Sequence, residues 1–144
     1  MNNFKRYLTG LITCYCSTVM AEDARQQVKI PEMMQQHMLS GMRDHLLAIT
    51  EIQQALANSE FEKAAEIAEK RIGMSSLSTH GASHLSTYLP KSMQEIGTQM
   101  HHAASQFALI AQETAIENDV KPALAALSKV TQQCVACHAA YRIH

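Results

Sequence analysis

The chain ends in the stretch CVACHAAYRIH, which places two thiols and an imidazole within eleven residues. Cys134 and Cys137 form a Cys-x-x-Cys pair, and His138 directly follows the second cysteine. Three chemistries use such a pair: a redox-active dithiol, half of a zinc site, and the covalent attachment of haem c. The surrounding sequence indicates which of the three fits best.

The position of the pair favours haem c over the other two chemistries. A thioredoxin-like pair follows a strand and lies at a helix start, where the helix dipole lowers a thiol pKa, but no strand is predicted before Cys134. Structural zinc needs four ligands, which the distant His80 and His84 would have to complete. Neither chemistry explains His138. In haem c attachment, two thiols add across the vinyl groups and the adjacent imidazole becomes the proximal iron ligand.

Residues 1–21 are typical of a secretory signal peptide, with two basic residues, a mostly apolar run and a small residue, Ala21, at the predicted cleavage site. The apolar run is too short for a permanent membrane anchor. Cleavage leaves residues 22–144, a length that predicts one domain. Lipidation of Cys14 is an open alternative, although no small residue directly precedes it. Export predicts an oxidising compartment, and a bacterial periplasm fits best.

Removal of the signal peptide also changes the number of cysteines and the net charge. Cys14 and Cys16 are lost, so Cys134 and Cys137 become the only two cysteines. The remaining chain has 10 basic and 13 acidic residues, a net charge of about −3 with histidine neutral. Because nucleic-acid binding depends on basic groups that neutralise phosphates, this mildly acidic balance argues against nucleic acid as a partner.

Apolar residues recur at spacings of three and four along nearly the whole chain after Pro31, which predicts helices. Ser59 and Glu62 predict a capping box at the start of the second helix, and residues 74–90 read as a connection with a short helical turn. Two helical hairpins with short connections predict an all-α fold, an antiparallel up-down four-helix bundle. The four predicted helices begin near residues 31, 59, 90 and 120.

The first predicted helix carries one apolar stripe, which we expect to face the core. Met38 and Met42 lie one turn apart on this stripe, whereas Met33 and Met34 lie nearer the start of the helix and are expected to be peripheral. The members of the stripe are Met38, Met42, His45, Ile49, Ile52 and Leu56.

A C-terminal Cys-x-x-Cys-His followed by AAYR, on the fourth helix of an exported helical chain, resembles the class II cytochromes c. This family contains cytochrome c-prime and its low-spin relatives. The resemblance covers essentially the whole chain after residue 21 and is most specific at Cys134, Cys137, His138, Tyr141 and Arg142. It implies one haem c between the first and last helices and redox partner proteins in the periplasm. Family members often dimerise through their first two helices, so a homodimer is an open alternative.

Within this family, the sixth position of the iron decides the function. High-spin members place an apolar residue of the first helix there, and low-spin members place a methionine. The stretch HMLSGMRDH resembles the low-spin pattern, with Met38 as the distal ligand and Gly41 allowing close approach; Met42 or no methionine are the alternatives. Ligation by His138 and Met38 would leave no open position, so we expect an electron carrier rather than an enzyme. The alternative is a five-coordinate haem protein that binds or detoxifies nitric oxide or a similar gas.

Other polar residues have less specific patterns. Arg142 lies four residues after His138 and is expected on the same helix face, either as a haem contact or as a solvated arginine. Tyr141 is expected to pack against the haem or the core. Arg43 is expected to be exposed or to reach a haem propionate. His45 is expected to be a hydrogen-bonded histidine of the core. The remaining histidines are expected at the surface or partly buried, with a second metal site as the alternative: His80, His84, His101 and His102.

Overall fold

The computed structural model describes residues 22–79, 82–117 and 119–144, so the predicted signal peptide, Cys14 and His80 lie outside the described residues. Most of this described chain is helical, which confirms the all-α class. Every helix in these three ranges is too short or too polar to cross a membrane. The long helices are α1 (Glu32–Ala57), α2 (Phe61–Arg71), α3 (Lys91–Glu117) and α4 (Val120–Ala140).

Two very short strands were not predicted from the sequence. β1 (Gln26–Gln27) precedes α1, β2 (Tyr141–Arg142) follows α4, and the two pair in parallel with Gln26 opposite Tyr141. Strands of two residues are too short to show the alternating pattern by which strands are recognised. The ladder joins the segment before α1 to the segment that follows the Cys-x-x-Cys-His motif.

The turn between α1 and α2 differs from the predicted capping box. Ser59 has a positive φ of 58° and terminates α1. Its amide donates to the Leu56 carbonyl at 3.1 Å, and the Glu60 amide donates to the Ala55 carbonyl at 2.8 Å. These two bonds are the Schellman motif that ends many helices. Because Ser59 serves that turn, its side chain does not cap α2, which begins without a side-chain cap.

The connection between α2 and α3 consists of short turns, as the sequence predicted. Met74–Ser76 and Ser86–Tyr88 are 3-10 turns, and Ala82–Leu85 forms one turn of α-helix. The Met74 amide donates to the Ser105 hydroxyl at 2.9 Å, which ties the start of this connection to α3.

The long helices pack in chain order. α1 lies against α2, α2 against α3, and α3 against α4, whereas α1 and α4 pack far less closely. An ionic contact also joins α1 and α2, because the Arg71 guanidinium donates to the carboxylates of Asp44 and Glu51.

The buried core occupies one end of this arrangement. It is built from the second half of α1, from α2, from the middle of α3 and from the first half of α4, with Phe107 and Ile52 completely buried. At the other end, the first turns of α1 and α3 contact the residues that directly follow α4. We call this the motif end. The Ser92 hydroxyl of α3 lies 2.5 Å from the Tyr141 hydroxyl, and the Gln35 amide of α1 donates to the Ile143 carbonyl at 3.0 Å.

Candidate functional site

Cys134, Cys137 and His138 lie on one side of the last two turns of α4, since residues three and four apart share a helix face. Both thiols are half-buried, and Cys134 packs against the core. They continue the buried stripe of α4 that includes Leu127 and Val130. His138 is exposed. The motif therefore presents two sheltered sulfur atoms with an accessible imidazole beside them.

The environment of the two thiols differs from that of a redox-active dithiol. Burial raises the pKa of Cys134 above its ordinary value, and burial raises the pKa of Cys137 as well, with the neighbouring Cys134 as the second cause. Redox-active pairs need a lowered pKa, because the thiolate is the nucleophile. The Cys134 Sγ donates to the Val130 carbonyl at 3.6 Å, and neither cysteine is in a disulfide.

The structure gives the zinc alternative no assembled ligand set in the part of the chain that it describes. Across residues 22–79, 82–117 and 119–144, no three His, Cys, Asp or Glu side chains are grouped so that they could hold a metal ion. His84 is exposed on its short helix and His102 is exposed on α3.

Two histidines are buried between α1 and α3. His45 is buried, as predicted, and its ring centroid lies 6.0 Å from that of His101 in an edge-on arrangement. His101 was expected at the surface or partly buried, and this expectation is wrong. It is buried next to Met100 on the inward face of α3, and its Nδ1 donates to the Ile72 carbonyl at 2.5 Å.

The four methionines at the start of α1 differ in exposure. Met34 and Met38 are half-buried, whereas Met33 is 77% exposed and Met42 is 38% exposed. The prediction that Met42 belongs to the core stripe is wrong. His45 is buried, and Gly41 and Met38 are half-buried at steps of four and three residues before it. These three positions share one face of α1, so Met42 falls to the outer side.

The contacts at the motif end bring Met38 to the same end of the molecule as the Cys-x-x-Cys-His motif. Gln35, which contacts Ile143 after α4, lies three residues before Met38 and therefore on the same face of α1. The Val28 amide, just before α1, donates to the Arg142 carbonyl at 2.8 Å. The first turns of α1 are thus held beside the chain that follows His138.

The predicted helical position of Arg142 is wrong. α4 ends at Ala140, and Arg142 belongs to the extended strand β2, so it does not share a helix face with His138. Pairing with β1 draws this residue out of the helix. Its Nε lies 3.5 Å from an Asp23 carboxylate oxygen, and its Nη1 donates to the His144 carbonyl at 3.1 Å. Tyr141 is half-buried beside Ser92, and Arg43 is exposed.

Asp23 and Arg25 also belong to this site, although no sequence pattern indicated them. Arg25 donates to both carboxylate oxygens of Asp23, at 2.9 and 2.7 Å, and reaches the His138 carbonyl at 3.5 Å. The hydrogen bond from Arg25 holds the pKa of Asp23 well below its usual range. An Asp-x-Arg pair is common in short loops, and its partner is 113 residues away, so the sequence offered no signal for the contact.

The residues at the motif end fit a covalently held haem c. The donor set comprises two thiols, an adjacent imidazole and a thioether, which are the groups that attach and ligate such a haem. Several apolar side chains from the first turns of α1 and α3 are half-buried at this end, whereas Val28 and Met93 are buried there. The half-buried ones are Met34, Met38 and Leu39 of α1, and Ile96 of α3. Cys134, Cys137, His138 and Met38 are the residues that would hold the group.

Comparison with family models, curated protein sequences and solved structures found no match for this chain.

Proposed function

We propose that this protein is an exported monohaem c-type cytochrome that transfers single electrons and is not an enzyme. Cys134 and Cys137 hold the haem covalently, His138 is the proximal ligand and Met38 is the distal ligand. In this proposal the helices form an antiparallel up-down four-helix bundle with the haem between α1 and α4, which pack far less closely than helices that follow each other in the chain. One observation carries the proposal: the two thiols and the imidazole share one face of α4 at the end where Met38 is turned inward.

The attachment chemistry needs nothing beyond the two thiols and the vinyl groups of the haem. Cys134 and Cys137 would each supply one thiol, whose sulfur and hydrogen would add across one vinyl group of the haem. The reaction is an addition, so it has no leaving group and requires no oxidant. Because these are the only cysteines after residue 21, no other thiol in that part of the chain competes for the vinyl groups.

The two proposed axial ligands favour electron transfer. When bound, haem c supplies an iron that alternates between the ferrous and ferric states. His138 offers an imidazole nitrogen, and Met38 offers a soft, neutral sulfur that stabilises the ferrous state and so raises the reduction potential. With both positions taken by protein side chains, no site is left open for a substrate.

The proposed location and partners follow from the sequence. Export through the predicted signal peptide of residues 1–21 would bring the protein to a periplasm, where its partners would be redox proteins of an electron-transfer chain and not nucleic acid. A homodimer is a further proposal, which the exposed apolar side chains of Leu46 and Leu47 on α1 support.

The absorption spectrum of the purified exported protein tests this function. We expect sharp low-spin bands with a weak near-infrared band from the bond between the thioether and ferric iron. Haem should stay with the denatured chain, and a Cys134→Ser, Cys137→Ser double variant should lose it on denaturation. A broad high-spin spectrum that shifts with carbon monoxide would instead favour the gas-binding alternative, and haem retained by the denatured double variant would refute thioether attachment.

A further inference from the structure

The helical turn that carries His138 is closed by groups from outside the helix. The last carbonyls of a helix have no amide donors in the next turn. At the end of α4, the Tyr141 amide donates to the Cys137 carbonyl. The next carbonyl, that of His138, would need the Arg142 amide, but Arg142 is already extended in β2. The Arg25 guanidinium takes that place, with its Nη1 3.5 Å from the His138 oxygen.

Arg25 is itself held in position by the segment around it. We call residues 23–28 the strap. The Asp23 carboxylate accepts two hydrogen bonds from the Arg25 side chain, which is the bidentate geometry that fixes a guanidinium most firmly. Directly after Arg25, β1 pairs with β2, and the Val28 amide donates to the Arg142 carbonyl at 2.8 Å. Before Arg25, the Asp23 carboxylate lies 3.5 Å from the Arg142 Nε. The strap is therefore tied to Arg142 on both sides of Arg25.

We propose that the strap is a positioning element for the proximal ligand, in which Arg25 holds the last turn of α4 so that the His138 imidazole keeps one orientation. The inference rests on the proposed function, because it assigns a task to residues that surround the proposed haem ligand. Arg25 contacts the backbone of His138 and not its ring, so it acts through the helix turn.

The physical basis is that outer residues orient the ligands of a metal. A helix end without a partner for its carbonyls frays, and a frayed last turn lets the His138 ring rotate and tilt. An electron carrier needs the same ligand geometry in both oxidation states, so a fixed turn serves this function directly. A contact outside the strap also holds the residue that follows α4, since the Ser92 hydroxyl lies 2.5 Å from the Tyr141 hydroxyl.

The experiment uses the haem-loaded protein with the Met38→Ala substitution. This substitution should make the ferrous iron five-coordinate. The iron–imidazole stretching band can then be measured by resonance Raman spectroscopy. Adding Arg25→Ala should broaden or split this band, and Arg25→Lys should restore it in part. In the otherwise unchanged haem-loaded protein, Arg25→Ala should speed amide exchange in the last turn of α4 by roughly two- to tenfold, the effect of one lost hydrogen bond. Asp23→Asn, which weakens the hold on Arg25, should act in the same direction.

Lys29→Ala is the matched control, because Lys29 is an exposed cation next to the strap that has no ion pair among the described residues. It should change neither the Raman band nor the exchange rates. An unchanged band and unchanged exchange in the Arg25 and Asp23 variants would overturn the positioning role, as would equal effects of Lys29→Ala. Failure of the proposed function is distinguishable, because a chain without covalent haem gives no such band in any variant.

Discussion

Met38 and Met42 lie one turn apart on α1, and their different exposures separate their expected roles. Met38 is half-buried on the inward side, whereas Met42 is 38% exposed on the outer side. If Met38 supplies the axial sulfur, Met38→Ala should make the ferrous iron high-spin and able to bind carbon monoxide. The reduction potential should fall, because a ligand that favours ferrous iron has been removed. Absorption spectra and a redox titration measure both effects.

Met42→Ala is the control for this prediction. Since Met42 is partly exposed, its replacement should keep the low-spin spectrum and lower the free energy of unfolding by only about 1 kcal/mol or less. If the two variants exchange their phenotypes, Met42 is the ligand. If neither variant changes the spin state, the iron has no methionine ligand and the gas-binding alternative gains support.

At the scale of elements, the end of α1 offers a test of the turn that replaced the predicted capping box. Ser59 has a φ of 58°, a conformation that costs an L-residue about 1–2 kcal/mol and glycine almost nothing. Ser59→Gly should therefore raise the free energy of unfolding by about 0.5–1 kcal/mol, after the greater freedom of glycine in the unfolded chain is subtracted. Urea unfolding of the purified protein measures the change.

The neighbouring residue supplies the matched control. Asn58 has an ordinary φ of −93°, so Asn58→Gly gains nothing in the folded state and should leave stability unchanged or slightly reduced. A Ser59→Gly variant that is less stable than the parent protein would contradict this prediction. It would show that the positive φ of Ser59 does not lower the free energy of unfolding.

The long elements could be predicted because their signal is repeated many times. α3 shows apolar residues at every turn, and Met93, Met100 and Phe107 of this repeat are buried. The short elements could not be predicted in the same way. β1 and β2 have two residues each, and their pairing depends on where α1 and α4 place them, which no local pattern records.

In the candidate site too, residues close together in the sequence could be predicted, whereas contacts between distant residues could not. Cys134, Cys137 and His138 could be predicted as one candidate site, because their residue types and their spacing within five residues form a recognisable motif. The structure places them together because one helix carries all three. The position of Arg142 was mispredicted because the helix was extrapolated past Ala140, where pairing with β1 takes over. Arg25 was missed because its contact crosses nearly the whole chain.

At the scale of the whole molecule, the closed core at one end should carry most of the stability that the polypeptide has on its own. Phe107 is completely buried in this core. Phe107→Ala should lower the free energy of unfolding by about 3–5 kcal/mol, a large part of the roughly 5–15 kcal/mol of a typical domain. Urea unfolding of the purified protein, followed by circular dichroism, measures the loss.

Leu109, two residues away on the same helix, is 54% exposed and provides the comparison. Leu109→Ala should lower the free energy of unfolding by no more than about 0.5 kcal/mol. Equal losses in the two variants would contradict the assignment of the core to this end and face of the helices.

The strap also has a consequence for the order in which the molecule folds. Arg25 and His138 are 113 positions apart, so bringing them together closes one of the longest loops in the described chain, and the entropic cost of closure rises with loop length. Contacts between consecutive helices close much shorter loops and should form earlier. The strap is moreover largely exposed and short, which is typical of regions that open locally. Its closure is then a late folding step and its opening an early unfolding step, so the surroundings of His138 are completed last and lost first.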